Sequence, residues 1–244
     1  MVICVPGGKK GLLAALDLKS GKVLWQSKTI TDQAPYAAPV LAKIHDTLTI
    51  VVVTNQGIYG VLPKSGEELF RYTRNEPYDD VVISTPIVGN NRVFTSVGFG
   101  QGCDFIELVR TAGNPRISTI MSNKLVQNRD GSMVLVDNHL YGHSENQGWF
   151  CLDFTTGKLK WNDRTALERG SVAYADGKLY CLGEKGNVVL AEATPEGWSE
   201  TSRFRLPKAS SKRLPSGAVW TNPVIADGKL YLRDQEFLYC YAIK

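Results

Sequence analysis

The segment Ala15-Leu-Asp17-Leu-Lys-Ser20-Gly21-Lys22-Val-Leu-Trp25 returns as Cys151-Leu-Asp153-Phe-Thr-Thr156-Gly157-Lys158-Leu-Lys-Trp161. Weaker copies run from Val61 to Phe70, Leu108 to Gly113 and Leu190 to Gly197. Their landmark glycines, Gly21, Gly66, Gly113, Gly157 and Gly197, are spaced 45, 47, 44 and 40 residues apart. A second pattern interleaves with the first. The hexapeptide Ala175-Asp-Gly-Lys-Leu-Tyr180 recurs unchanged as Ala226-Asp-Gly-Lys-Leu-Tyr231, and Val136 to Tyr141 and Gly89 to Phe94 are its relatives. A chain with such a period is built from one small unit that cannot bury its apolar face alone and stacks on its neighbours.

Each pattern has a local meaning. Asp-Gly and Asn-Asn between apolar residues favour positive φ, as a two-residue hairpin turn requires. Ser171–Ala175 and Lys178–Leu182 are therefore expected to be paired antiparallel strands. The Ser/Thr-Gly-Lys segment is a second turn flanked by alternating runs. No capping signal leads into a long face of 3.6-residue period, so helices are not expected. Four strands, A to D, in each repeat describe a β-propeller blade. Six blade units follow, at about 1–28, 37–73, 83–121, 130–162, 170–205 and 219–244. The first has strands B, C and D only, and the last A, B and C only. The expectation is an all-β propeller with incomplete first and last blades. It is either closed by an irregular seam or an open arc of a larger ring that lacks upstream blades.

Composition narrows the classes. Among 244 residues there are 28 Lys+Arg and 24 Asp+Glu, a net charge of +4. This is too mild and dispersed for a nucleic-acid binder. No apolar run has the roughly 20 residues of a membrane helix. Met1 is not followed by a basic start, an apolar stretch and a cleavage site, so no signal peptide is read. The five cysteines, Cys4, Cys103, Cys151, Cys181 and Cys240, include no C-x-x-C pair, and they read as small buried hydrophobes. Pro207-Lys-Ala-Ser-Ser-Lys-Arg-Leu-Pro215 carries three positive charges between two prolines. It reads as a solvated connection between blades, with a partner-binding basic loop as the alternative.

The motif at Ala15, Asp17, Gly21 and Trp25, repeated at Asp153, Gly157 and Trp161, resembles the tryptophan-docking motif of the pyrroloquinoline-quinone-like propeller repeats. More narrowly, Pro6 to Lys9, Gly142 to Ser144, Gly170 to Val172 and Asn222 to Asp234 resemble segments of exported BamB-like proteins. The resemblance implies the quinoprotein-dehydrogenase-like propeller fold. It implies that Trp25 and Trp161 pack between neighbouring blades, with Ala15 making room and Gly21 forming the turn. It also implies a periplasmic or extracellular location. Blade two departs from the motif, with Leu62 for the aspartate and Phe70 for the tryptophan. Dehydrogenases of this kind hold pyrroloquinoline quinone over calcium, and many carry an adjacent cysteine pair, which is missing here.

Candidate site residues cluster in the B–C turns. Asn55-Gln56-Gly57, Gln101-Gly102 and Asn146-Gln147-Gly148 repeat an amide before a glycine, with Asp234-Gln235 as a variant. They read as turn chemistry, or as amides presented on one face to a polar ligand or peptide. His143 and Glu145 flank one such turn and, two apart in a strand, are expected to share a face. His143→Ala is accordingly expected to be nearly neutral. Asp79 and Asp80 offer adjacent carboxylates. Trp220 is a candidate for facing a channel, and Tyr36, Tyr78, Trp149 and Trp220 would be the aromatics of a glycan site. His45 and His139 sit at turn positions. No serine has a G-x-S-x-G setting. The Gly7-Gly8-Lys9-Lys10-Gly11 turn precedes no helix, which argues against a phosphate loop. No catalytic, cofactor-binding or metal residue is assigned, and no cofactor is expected. The favoured function is a non-enzymatic exported propeller that binds a protein, peptide or glycan through one face. The alternatives are a quinone-dependent alcohol or sugar dehydrogenase, using pyrroloquinoline quinone and Ca2+, or a fragment of one, and a glycan-binding propeller.

Overall fold

The computed structural model describes residues 1–243. Among them there is no helix, and hence none long and apolar enough to cross a membrane. The chain divides into two compact units, Met1–Lys124 and Leu125–Lys244. The first unit holds three antiparallel sheets: β1 (Val2–Cys4), β2 (Ala14–Leu16) and β3 (Val23–Gln26); β4 (Val40–Ile44), β5 (Thr47–Val53), β6 (Gly57–Val61) and β7 (Glu68–Thr73); and β8 (Ile87–Gly89), β9 (Arg92–Val97), β10 (Gly102–Val109) and β11 (Arg116–Asn123). The second unit holds β12 (Met133–Val136), β13 (His139–Ser144), β14 (Gly148–Asp153) and β15 (Leu159–Asp163); β16 (Gly170–Ala175), β17 (Lys178–Gly183), β18 (Asn187–Glu192) and β19 (Glu200–Arg205); and β20 (Val224–Ala226), β21 (Lys229–Asp234) and β22 (Phe237–Ala242). Every sheet pairs its strands in chain order, as a propeller blade does. The first sheet carries strands B to D and the last A to C, as the repeats indicate.

The turns explain the registers. Asn90 and Asn91, Asp137 and Asn138, Asp176 and Gly177, and Asp227 and Gly228 are all pairs of consecutive positive-φ residues. That is the conformation whose twist suits a two-residue hairpin. Ala175 consequently pairs Lys178, and Ala226 pairs Lys229. The C–D hairpins add a feature that the repeats do not reveal: each contains a register shift. It falls after Ala15, Gly60, Phe105, Cys151 and Leu190. One extra residue on the D strand sharpens the local twist. In three hairpins a small residue at this point faces an aromatic one: Ala15 opposite Trp25, Gly60 opposite Phe70 and Cys151 opposite Trp161.

Within each unit the cores lie between neighbouring sheets, so middle strands there are buried on both faces. Ile50, Val51, Val52 and Val53 are all within 2 % of full burial. One cluster joins Leu12 and Leu13 to Ile50 and Tyr59 across the first two sheets, and another joins Leu182 and Val188 to Leu230 and Leu232 across the last two. Cys103, Cys151 and Cys181 are buried and every cysteine is free, but Cys240 is exposed because it lies on the outer strand of a three-stranded sheet.

Trp25 and Trp161 reach the C–D turn of the next sheet. The Trp25 indole donates to the Pro63 carbonyl at 2.8 Å, and the Trp161 indole to that of Thr194 at 2.9 Å. Asp17 accepts from the Lys19 and Ser20 amides and the Ser20 hydroxyl, closing its own turn, and Asp153 does the same with Thr155 and Thr156. Gly21, Gly66 and Gly157 have φ near +70°, whereas Gly113 and Gly197 are not in that conformation. The third and fifth sheets therefore keep the spacing but not the turn.

Gly66 and Gly21 make a controlled pair. Both need positive φ, which costs an L-residue about 1–2 kcal/mol. A Cβ on Gly66 would lie 2.4 Å from the Trp25 ring, whereas one on Gly21 meets nothing within 4 Å. Gly66→Ala is therefore expected to lose about 2 kcal/mol more than Gly21→Ala in urea unfolding. Equal losses would mean that Trp25 is not seated on this turn.

Candidate functional site

At one end of each sheet a B–C turn meets a D–A connection. In the first unit the connection after β7 is fastened to the turns on both sides of it. The Arg74 amide donates to the Gln56 carbonyl at 2.9 Å and the Tyr78 amide to the Asn55 carbonyl at 3.0 Å. The Asn55 side-chain amide donates to the Tyr78 carbonyl, and the Asp79 amide donates to Gln101 Oε1 at 3.0 Å. Asn55, Gln56 and Gln101 thus position this connection. Asp79 is exposed within it, while Asp80 accepts from the Val81 amide.

Beneath the connection lies a buried ion pair. Arg74 and Asp104 have side chains 3 % and 2 % exposed. Arg74 Nε donates to Asp104 Oδ2 at 2.5 Å, and Nη1 donates to the Thr54 carbonyl at 2.6 Å. The Arg74 guanidinium also stacks over the Tyr78 ring, 4.1 Å from its centroid. Asp104 accepts three further bonds, from Tyr72, Tyr78 and Ser122. Burial pushes both tyrosine hydroxyls above their ordinary pKa, so they remain donors. This cluster floors a cavity of about 660 Å³ whose rim includes Glu76, Asp79, Gln101, Asn123 and Lys124. With four donors on its two oxygens, Asp104 is suited to holding the floor in place rather than to moving a proton.

Sequence reasoning missed Arg74, Tyr72, Asp104 and Ser122. One signal was present: Asp104 interrupts the apolar run Cys103 to Ile106 at positions that are buried throughout. An acid there needs a buried cation.

In the second unit two expectations are corrected. His143 does flank the turn, but from within β13, which continues to Ser144, so it is not the exposed residue whose replacement by alanine would be nearly neutral. Its ring is buried edge-on against Trp149, with centroids 5.6 Å apart. Glu145 instead turns toward Arg129, 3.4 Å away. The two do not share a face, because strand alternation ends where the chain reverses. Asp234 is not a turn ligand either. It closes β21, is 1 % exposed, is ion-paired to Arg213 and accepts from the Ser210 amide at 3.0 Å. Gln235 does occupy the turn, at φ 53°, and its carbonyl accepts from Arg233.

Asn146 and Gln147 act through their turn. Ser144 donates to Asn146 Oδ1 at 2.6 Å, the Arg164 guanidinium donates to the Asn146 carbonyl, and Asn162 donates to the Gln147 carbonyl at 3.1 Å. Trp220 is 52 % exposed in the connection before β20. Tyr36 is also exposed, but Tyr78 and Trp149 are buried and cannot stack on a glycan. His45 does have partners, since its ring lies 2.7 Å from the Leu108 carbonyl and its amide donates to Asn91. His139 begins β13 beside Tyr141.

Asp130, Arg169 and Glu184 form a second, partly buried charge cluster. Arg169 lies 3.3 Å from Asp130 and 2.6 Å from Glu184. Burial pushes the Asp130 carboxyl up to about 7, against the pull of Arg169. Burial, helped by the Arg169 charge, holds His143 down at about 4. The two titrations oppose each other. Between about pH 4 and 6.5 the unfolded chain holds the extra proton at His143, so that contribution is complete above pH 6.5 and fades as pH falls. Between about pH 3.8 and 7 the folded chain holds the extra proton at Asp130, so that contribution is complete at low pH and fades as pH rises. The wild type should therefore change little in stability between pH 4.5 and 6.5. His143→Leu should lose about 2 kcal/mol as pH rises across that window, and Asp130→Asn should gain a similar amount. Urea midpoints at the two pH values test this, and parallel behaviour of all three proteins would contradict it.

Calcium takes six to eight oxygen ligands. Among the described residues no three His, Cys, Asp or Glu side chains lie together as a metal site. Asp104 and Asp234, the buried acids nearest the loop ends, are both engaged by arginine.

The sequence profile of a family described as outer membrane protein assembly factor BamB matches residues 1–163. No curated protein matches the chain. Among solved structures, the computationally designed Ika8 protein is similar with a TM-score of 0.67 at 11 % identity, over 99 % of this chain and 68 % of that one. The β-propeller domain of Cps50 (Swd1) from Myceliophteria thermophila gives 0.60 at 10 % identity, over 98 % and 81 %. Quinohemoprotein alcohol dehydrogenase from Comamonas testosteroni gives 0.60 at 13 % identity, over 93 % of this chain but only 49 % of that one. At such identities these likenesses concern the fold alone.

Proposed function

Because the chain belongs to the BamB family of β-propeller proteins, we propose that it is a non-catalytic binding module whose partner docks where B–C turns meet D–A connections. The observation that carries this reading is the 660 Å³ cavity of the first unit, with its arginine-locked floor and polar rim. A floor held by paired side chains, with Gln101, Asp79 and Lys124 around it, suits recognition, because the floor groups are already ordered before a partner arrives. A polar segment of a protein matches it better than a glycan does, since the ring of Tyr78, which lines the cavity, is buried and already covered by the Arg74 guanidinium. The family's assembly-factor role points to a protein partner and to a periplasmic or extracellular setting.

This reading is favoured over a quinone-dependent dehydrogenase, because the two fully buried acids near the loop ends, Asp104 and Asp234, are held by arginines and Trp220 is half exposed in a connection. Calorimetric titration with pyrroloquinoline quinone and calcium tests the choice. The reading expects no binding heat. Micromolar binding, followed by dye reduction on adding an alcohol or sugar, would overturn it in favour of the dehydrogenases.

A further inference from the structure

The second unit carries a separate cationic surface that the cavity of the first does not involve. Two adjoining grooves, of about 240 and 410 Å³, share Lys185, Arg205 and Arg213 as lining residues. Lys208 completes the lining of the smaller one. They lie between the β17–β18 turn and the basic connection that leads from β19 to β20. The acids that line them are already committed. Asp234 is buried against Arg213, and Glu184 pairs with Arg169 at 2.6 Å. Lys185, Arg205 and Lys208 are exposed and form no ion pair among the described residues. The grooves therefore present a net positive field, focused by their walls.

The connection is also not a loosely solvated one. The Ser210 amide donates to Asp234 and its hydroxyl to Glu236. Tyr239 donates to the Lys208 carbonyl at 2.7 Å, the Lys208 ammonium lies 4.9 Å from the Phe237 centroid, and the Val219 amide donates to the Glu184 carbonyl. Pinned at these points, the segment holds its cations in place before any ligand arrives, which lowers the ordering cost of binding. Leu214, 73 % exposed, and Trp220, 52 % exposed, flank the residues 215–218 that line the larger groove.

We infer that these grooves bind an acidic peptide segment, with its carboxylates toward Lys185, Arg205 and Lys208 and apolar side chains toward Leu214 and Trp220. A nucleic acid fits less well, because beyond Trp220 at the margin no aromatic residue lines either groove to stack on successive bases. A membrane surface fits less well, because the cations stand on the walls of recesses rather than on an open plane.

The test uses the full chain and a fluorescein-labelled peptide in which Glu and Leu alternate, followed by anisotropy. The inference expects saturable binding that weakens at least about tenfold when salt is raised from about 50 to 500 mM, since exposed charges are screened. The Lys185→Glu, Arg205→Glu double variant should weaken binding by at least a similar factor, whereas Lys19→Glu, Lys158→Glu should leave it unchanged. A peptide with Lys in place of Glu should not bind. Vesicles of phosphatidylglycerol should not sediment the protein, and millimolar inorganic phosphate should not displace the peptide. Absence of binding, equal binding by the double variant, displacement by phosphate, or capture by vesicles without peptide binding would overturn the inference. All substituted residues are exposed, and circular dichroism of each variant confirms that the fold is retained.

Discussion

Arg74→Met is expected to destabilise the protein by about 3–5 kcal/mol in urea unfolding, the usual consequence of removing one partner from a buried ion pair. The guanidinium does three things at once. It neutralises Asp104, donates to the Thr54 carbonyl and covers the Tyr78 ring. Met fills much of the volume but supplies neither charge nor donor. Asp104 is then left in a site 2 % exposed with only hydroxyl donors. Asp104→Ala should cost at least as much, because it strands a buried cation and takes the acceptor from Tyr72, Tyr78 and Ser122. The double variant should show a coupling of roughly 2 kcal/mol or more, as contacting residues in one network do. Additive losses would mean that the two side chains act separately.

Trp161→Ala is expected to cost about 3 kcal/mol, the lower end of the range for large aromatic deletions, because the ring is partly exposed. It lies 6.3 Å from Trp198 and 6.2 Å from Tyr141 and donates to the Thr194 carbonyl of the next sheet. Trp161→Phe should lose about 1 kcal/mol, mostly the hydrogen bond. A loss below about 1 kcal/mol for the alanine variant would show that the tryptophan contributes little to joining the sheets.

The difference between the two predictions mirrors what the sequence makes legible. The second rests on a motif whose residues are close in the chain. A hairpin that needs two positive φ values must show it within four residues, so Asp176-Gly177 and Asp227-Gly228 announce their strands almost to the residue. The ion pair of Arg74 and Asp104 joins a residue after β7 to one in β10, and nothing local in either segment specifies the other. The errors at His143 and Asp234 have a further cause. Both stand at the end of a strand beside a turn, and a boundary misplaced by one or two residues exchanges a solvent-facing position for a core one. The amides Asn55, Gln56 and Gln101 stand out in the sequence by their repetition, yet their work in the structure is to hold the neighbouring connection through Arg74, Tyr78 and Asp79, which are distant from them in the chain.

The central claim is that the loop end of the first unit, rather than its C–D turn end, meets the partner. Site-specific photocrosslinking in the native host tests it most directly. A photoreactive phenylalanine would replace Glu76 or Asn123 at the cavity rim, and Lys19 or Ser65 in the C–D turns. The account predicts one discrete protein adduct from both rim positions and none from the turns. Adducts arising from the turns, or from none of the four positions, would contradict it.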